Sequence, residues 1–385
     1  MSRRVYLDHN ASTPVHPEVL AEMLPYFAET YGNPSSIHAF GRAAREGVDR
    51  ARERIAAFLR VAPDEIVFTS GGTESDNLAV KGLALARGGG HVVTSRVEHH
   101  AVLRTCQALE RQGFAVTYVA VDGHGMVDPD DVKRAVRDDT VAISIMHANS
   151  EVGTVQPIAE IGAIARERGV PLHVDAVQTF GKLPLDVHAL GIDALSFSAH
   201  KIYGPKGVGG LWIRKGTRMV SIQHGGDHER RRRAGTENVP GIVGLGKAVE
   251  VRAREMHEEA PRVRALRDRL WEAVRGRVED VRLNGHPTER LPGTANICFR
   301  HVESESIVLG LDLKGVAVSA GSACTSGHVE PSHVLVAMGV SLDWAMGAVR
   351  FSLGRSTTAE DIDCTVEALA PIVAKLRRAK PVRPA

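Results

Sequence analysis

Between residues 60 and 213 the chain alternates short β-branched runs with longer stretches of helical periodicity, and few architectures accommodate that rhythm. Segments 66–69, 91–94, 114–121, 140–147, 171–174, 192–197 and 209–213 read as strands, while 75–87, 100–112, 129–137 and 157–168 read as helices. Strands separated by helices need crossover connections, which favours parallel pairing in a layered α/β domain. A charged helical stretch follows over 240–275, where Pro261 predicts a break or kink. Strands at 294–299, 316–319 and 349–353, with helices near 304–311, 331–338 and 359–378, then suggest a second, smaller α/β domain. The boundary is expected near residue 260, and the residues before about 15 are free to pack on either domain.

Composition narrows the function. Of 385 residues, 43% are hydrophobic, ample for a sizeable core, and the net charge is +2. A near-neutral chain offers no global field for nucleic acid, and the one dense basic run, Arg230 to Arg233, is four residues long. Its side chains are either a solvated surface, part of a phosphate-binding region, or a docking patch for an acidic carrier. No stretch of 18 apolar residues occurs, and Met1-Ser2-Arg3-Arg4 leads straight into Val5 without the apolar run of a signal peptide, so a cytoplasmic protein without a membrane span is expected. Cys106, Cys298, Cys324 and Cys364 are far apart and form no CxxC, which argues against a zinc knuckle or a disulfide framework.

Three segments carry chemistry. Thr69-Ser70-Gly71-Gly72-Thr73-Glu74-Ser75-Asp76 lies between a strand and a helix. There, glycines, hydroxyls and the free N–H groups of a helix start can cradle a phosphate, or Thr73 or Ser75 can simply cap the helix. Asp175, in His173-Val174-Asp175-Ala176-Val177-Gln178, ends a strand and can cap a turn or hold a cationic ring nitrogen. Lys201 follows Ser198 and His200 directly at the end of an apolar strand, a poor place for a solvated charge. An anion cradle, an acid for a pyridine nitrogen and an amine for an aldehyde are together the parts that pyridoxal phosphate needs.

In that order the motifs resemble the NifS/IscS-like cysteine desulfurases, a class V branch of fold type I pyridoxal-phosphate enzymes. The resemblance runs from Tyr6-Leu7-Asp8-His9-Asn10 and Tyr31-Gly32-Asn33-Pro34 to Arg350-Phe351-Ser352-Leu353-Gly354-Arg355. Its most specific parts are His200-Lys201, Arg233-Ala234-Gly235-Thr236-Glu237-Asn238 and Ser322-Ala323-Cys324-Thr325-Ser326. It implies a large domain over 15–260 with a mainly parallel seven-stranded sheet. It also implies a smaller α/β domain over 261–385, joined by residues 1–14, that carries a cysteine loop.

The resemblance also implies roles. Lys201 would bind the cofactor aldehyde and move protons at the substrate α-carbon. Asp175 would pair with the pyridine nitrogen, and Gln178 would lie near the ring hydroxyl. His99 would stack on the ring and transfer protons. Gly72, Thr73, Ser198 and His200 would hold the phosphate, with Thr236 reaching the phosphate in a partner subunit of a homodimer. Arg350 would clamp the substrate carboxylate, with Asn33 on the same side. Cys324 would take sulfur from L-cysteine as a persulfide, releasing alanine. It would then pass the sulfur to an acceptor protein, such as an iron–sulfur scaffold or a thiolation carrier. No resident metal is implied, with Cys324 able to contact an iron–sulfur cluster transiently.

The residues around Cys324 agree independently, because Ser319-Ala320-Gly321-Ser322-Ala323-Cys324 is too polar for a packed strand and too glycine-rich for a stable helix. An isolated cysteine is otherwise most often a small buried hydrophobe, the reading kept for Cys106, Cys298 and Cys364. One departure concerns Asn149-Ser150-Glu151-Val152-Gly153, where relatives carry Asn-Asn-Glu. Ser150 stands where an asparagine contacts the ring oxygen, so its hydroxyl, a water or Asn149 would fill that place. Selenocysteine lyase activity, a desulfurase dedicated to a pathway such as DNA phosphorothioation, a plain aminotransferase and a noncatalytic scaffold are the competing expectations.

Overall fold

The computed structural model describes residues 3–320 and 328–379 together with 324–325; for 324–325 and 328–329 it describes the backbone alone. A two-residue strand, β1 (Val5–Tyr6), opens the chain. The seven strands that follow are β2 (Ile66–Thr69), β3 (His91–Ser95), β4 (Ala115–Val119), β5 (Thr140–Ser144), β6 (Leu172–Asp175), β7 (Ala194–Ser198) and β8 (Gly209–Ile213). They form one sheet in the order β2-β8-β7-β6-β5-β3-β4. β8 runs antiparallel to both its neighbours, and the remaining pairs are parallel. Every residue of β5, β6 and β7 is buried, as expected where helices cover both faces and the strands read as continuous apolar runs. Phe180 and Phe197 stack at 4.4 Å in the core beneath this sheet.

The Ala39–Leu59 helix has no counterpart among the helices expected from the sequence. Its buried face is built mostly of small residues, Gly41, Ala44, Val48, Ala51 and Ile55, and its other positions carry several arginines. Small residues are what its packing requires. A Cβ on Gly246 of the facing helix would come within 2.6 Å of Ala51 Cα, so the two backbones approach closely.

That facing helix corrects the expectation of a break at Pro261. It runs unbroken from Val239 to Arg277 with the proline inside. Pro261 deprives the His257 carbonyl of its helical donor, but His257 and Pro261 are both exposed, and water can serve that carbonyl. The helix passes from the core beneath the large sheet, which includes Val243 and Val249, to a second core containing Val263, Leu270 and Val274.

The second core lies against β9 (Val281–Asn284), β10 (Thr294–Phe299), β11 (Val316–Ala317), β12 (Ser319–Ala320) and β15 (Ala348–Ser352), with two-residue strands β13 (Cys324–Thr325) and β14 (His328–Val329) between the last two. Four of these form an antiparallel sheet in the order β12-β15-β10-β9. The single strand expected at 316–319 is in fact two. Val316–Ala317 pairs in parallel with β1, and Ser319–Ala320 pairs with β15. The β1–β11 pair therefore puts the N-terminal segment on the smaller sheet's side.

Candidate active site

A cavity of about 320 Å³ opens at the carboxyl ends of the large sheet's parallel strands, the usual ligand position in such sheets. It is lined by Lys201, His99, Gly72, Thr73, Ser150, Asp175, Gln178, Ser198, His200 and Arg350, and also by Asn10, Ala11, Asp76, Met146, Ala148 and Val177. These side chains come from loops and strand ends far apart in sequence.

One wall is the start of the Gly72–Leu85 helix, just after β2. Gly71 is its N-cap and has no side chain to cap with, so neither Thr73 nor Ser75 caps the helix. Ser75 is instead buried against Thr69 Oγ1 (2.8 Å) and donates to the Gly210 carbonyl (2.9 Å). A Cβ on Gly72 would meet Val177 Cγ2 at 2.6 Å, so glycine keeps the helix start close to the opposite wall. Free N–H groups at such a start favour an anion. Arg233 holds Glu74 of the same turn at 2.8 Å, which places one member of the basic run beside the cradle. Arg231 pairs with Asp227 on the surface, and Arg232 donates to the Asp64 carbonyl.

The inner wall belongs to β6 and β7. Asp175 ends β6, is 7% exposed, and accepts from the Val177 N–H at 2.9 Å, so it caps its turn while lining the cavity. Burial pushes its carboxyl above the usual aspartate range, partly offset by His99, the Val177 N–H and Lys201. Lys201 closes a 3-10 turn after β7, and its Nζ donates to the carbonyls of Asn10 (2.5 Å) and Ala11 (2.8 Å). Burial, with Arg350 nearby, lowers its pKa from 10.5 to about 8. Gln178 is held at both ends of its amide, donating to the Asn10 carbonyl (3.0 Å) and accepting from Lys182 Nζ (3.1 Å). His200 Nδ1 lies 3.3 Å from Ser12 Oγ, and burial together with Lys201 and Lys206 holds that imidazole down to about 4.

His99 is the N-cap of the His100–Glu110 helix, its Nδ1 accepting from the Ala101 N–H at 3.1 Å. That acceptor role leaves the proton of the neutral ring on Nε2. Its ring is reached by solvent through the open cavity yet crowded by protein on most sides, and the crowding keeps its pKa below the ordinary histidine value.

Arg350 arrives from the smaller sheet on β15. Its Nη2 pairs with Asp8 Oδ1 at 2.9 Å and its Nη1 donates to the Ser150 carbonyl at 3.2 Å, while Nε is buried without a partner among the described residues. Ser150 lines the cavity. Asn149 does not stand in for it: its amide donates to the Val97 carbonyl (2.9 Å), and its oxygen accepts from the N–H groups of Glu151 and Val152.

Asn33 and Thr236 are not brought to this cavity. Both are exposed, on segments joined where Arg45 pairs with Glu237 (2.7 Å) and donates to the Pro34 carbonyl (3.1 Å). Cys324 lies in β13, paired antiparallel with β14, and its side chain falls outside the described residues, as do Ser322, Ala323 and Ser326 of its motif. Cys106 and Cys298 are fully buried, and burial pushes their thiols to about 12 and about 11. Cys364 is half-buried against the second core. Sequence reasoning assigned no role to Asn10, Ala11 or Asp76. Asp76 stood inside a quoted motif, but its direction depends on the helix phase.

The chain belongs to the class-V aminotransferase family, which it matches over residues 5–364. Among its relatives is cysteine desulfurase IscS of Dictyoglomus turgidum, 53% identical over 385 residues, covering 100% of this chain and 98% of that protein. The cysteine desulfurase IscS of Methanosarcina thermophila is 52% identical, covering 100% and 95%. A solved NifS-like protein superposes with a TM-score of 0.91 at 39% identity, covering 97% of this chain and 100% of that one. The cofactor is pyridoxal phosphate, and the donor set fits it: a helix start that excludes a Cβ, a buried carboxyl, a lysine with a lowered pKa and an arginine whose Nε has no partner among the described residues.

Proposed function

We infer that the chain is a pyridoxal-phosphate-dependent cysteine desulfurase, which converts L-cysteine to L-alanine and passes the sulfur on as a persulfide. The observation that carries this reading is the convergence of Lys201, Asp175, the Gly72–Thr73 helix start and Arg350 on one cavity. When bound, the cofactor supplies an electron sink for the bond broken at the substrate α-carbon.

The rest is work for this chain's own residues. Gly72, Thr73, Ser198 and His200 would hold the phosphate. Asp175 would hold the proton of the ring nitrogen, while Gln178 and Ser150 would face the ring oxygen. Lys201 would bind the aldehyde and, once displaced by substrate, take the α-proton on Nζ. With a pKa of about 8 it is near balance between base and acid at working pH. His99, with its Nε2 proton toward the open cavity, would be the second proton carrier. Arg350 would bind the substrate carboxylate, held in place for that by Asp8.

Cys324 as thiolate would take the sulfur. The S–S bond forms as the substrate C–S bond breaks, the electron pair passes to the β-carbon, and a proton there completes alanine. A sulfur-acceptor protein then removes the persulfide sulfur, an iron–sulfur scaffold or a thiolation carrier being the fitting kind. Asn33 and Thr236, exposed and away from their own cavity, would serve the cavity of a second copy in a homodimer.

The test is to incubate the loaded enzyme with L-cysteine, quantify alanine and map the sulfur by intact mass and peptide analysis. One added sulfur atom on the Cys324 peptide, missing in Cys324→Ser, is expected. Sulfur on Cys106, Cys298 or Cys364, or a keto acid without sulfur transfer, overturns the reading.

A further inference from the structure

Two carboxyl groups, Asp76 and Asp175, line the cavity and a third, Glu98, is buried near enough to interact with them, yet the chemistry above uses only Asp175. Asp76, on the Gly72–Leu85 helix, lines the same cavity and is 1% exposed. Its Oδ1 has no hydrogen-bond partner among the described residues. Its one contact in ion-pair range there is His173 Nε2 at 3.7 Å. That imidazole is a poor counter-ion. Both its nitrogens lie 2.9 Å from serine hydroxyls, of Ser144 and Ser196, and burial lowers its pKa to about 3. Glu98, the third carboxyl, is fully buried, accepts from Ser95 Oγ (2.6 Å) and the Met146 N–H (3.0 Å), and is pushed by burial to about 8. The nearby Lys201 amine is engaged by the Asn10 and Ala11 carbonyls, and His99 is held below its ordinary pKa.

Asp175 and Asp76 thus face one cavity with unequal support. Asp175 has the Val177 N–H and the nearby Lys201 amine, while Asp76 has, among the described residues, neither a backbone donor nor a cation and only the Ser196 hydroxyl to offset its burial. Two adjacent buried carboxylates repel, and the less supported one keeps the proton. Burial first, and Asp175 next, raise the Asp76 carboxyl well above the aspartate range, in the same direction as the geometry.

We propose that Asp76 is a positioning residue carried as the neutral acid, and that its neutrality leaves Asp175 the one ionised carboxylate at the inner end of the cavity. This rests on the reading of Asp175 as partner of the ring nitrogen. An ionised Asp76 would raise the proton affinity of Asp175 and so weaken its hold on a cationic ring nitrogen.

Infrared spectroscopy of protein carrying carboxyl-labelled aspartate tests the proton directly, with and without cofactor. At neutral pH the wild type is expected to show a protonated-aspartate carbonyl band that Asp76→Asn lacks. The isosteric, neutral Asp76→Asn should also keep the cofactor's absorbance titration midpoint within a few tenths of a pH unit and its affinity within about threefold. If Asp76→Asn does not fold, Asp76→Ser is read by the same two measurements. Absence of the band in the wild type, a midpoint moved by about a unit or more, or an affinity lowered tenfold or more overturns the proposal. Asp175→Asn separates this from the reading beneath it. An unchanged cofactor spectrum in Asp175→Asn would refute Asp175 as the nitrogen's partner, while the infrared band would still report the Asp76 proton.

Discussion

The two sheets contribute to the cavity in different ways. The large sheet provides Asp175 and Lys201 from the ends of strands buried over their whole length, where the neighbouring turns fix each group by backbone bonds. The smaller sheet provides Arg350 from a five-residue strand and leads to Cys324 through strands of two residues, β13 pairing with β14 alone among the described residues. Groups that must meet a cofactor's ring and aldehyde with small tolerance sit where the scaffold is deepest. The proposed sulfur carrier comes from a segment of two-residue strands, as suits an atom that must reach an acceptor, whereas Arg350 sits on a strand paired on both sides.

Breaking the deep side should have the largest effect. Lys201→Ala removes the amine proposed to bind the aldehyde and move the α-proton, and alanine formation should fall by roughly four orders of magnitude, with the lysine-bound cofactor absorbance lost. Loss of less than tenfold would show that another group does this work. On the shallow side, Arg350→Ala should raise KM for L-cysteine by roughly 10- to 100-fold while cofactor affinity holds, because a charge-assisted carboxylate contact is removed. An unchanged KM would place the carboxylate elsewhere.

The lowered Lys201 pKa gives a third test. Below about 8 the amine is mostly protonated and cannot attack an aldehyde. Capture of pyridoxal phosphate by the apoprotein should therefore rise about tenfold per pH unit up to about 8 and level off above it. A rate still climbing toward pH 10.5 would mean an unperturbed lysine. The smallest effect is expected at Ser150, whose carbonyl, a group no substitution removes, anchors Asn10 and Arg350. Ser150→Ala should weaken cofactor binding by no more than about fivefold. A hundredfold loss by equilibrium dialysis would make the hydroxyl a principal anchor.

Much of this was legible in one dimension. Alternating β-branched and helical runs placed β2 and β8 to the residue, because strands buried along their whole length leave continuous apolar blocks, here even for two strands paired antiparallel. The long Ala39–Leu59 helix was overlooked although its arginine-rich and apolar faces were legible; what only the fold shows is how closely its small residues let another helix approach. The run through Pro261, by contrast, was hidden. A proline ends a helix unless the orphaned carbonyl can reach water, and which side of the helix is wet depends on its neighbours. Val316–Ala317 and Ser319–Ala320 read as one strand because periodicity does not say which partner each half will find.

At the site, the sequence by itself determined the chemical inventory. A lysine after an apolar strand, an aspartate at the end of another and glycines at a helix start name an amine, an acid and an anion cradle wherever they occur. The tertiary structure decided what surrounds each group. It seated Lys201 on the carbonyls of Asn10 and Ala11, turned Asn149 away from the cavity, tied Arg350 to Asp8, and brought Asp76 to the cavity that Asp175 lines, with no cation paired to it among the described residues. Those contacts join residues as many as 342 positions apart, as for Arg350 and Asp8. Side-chain type is local information, whereas desolvation and charge pairing are properties of whatever the fold has packed around it.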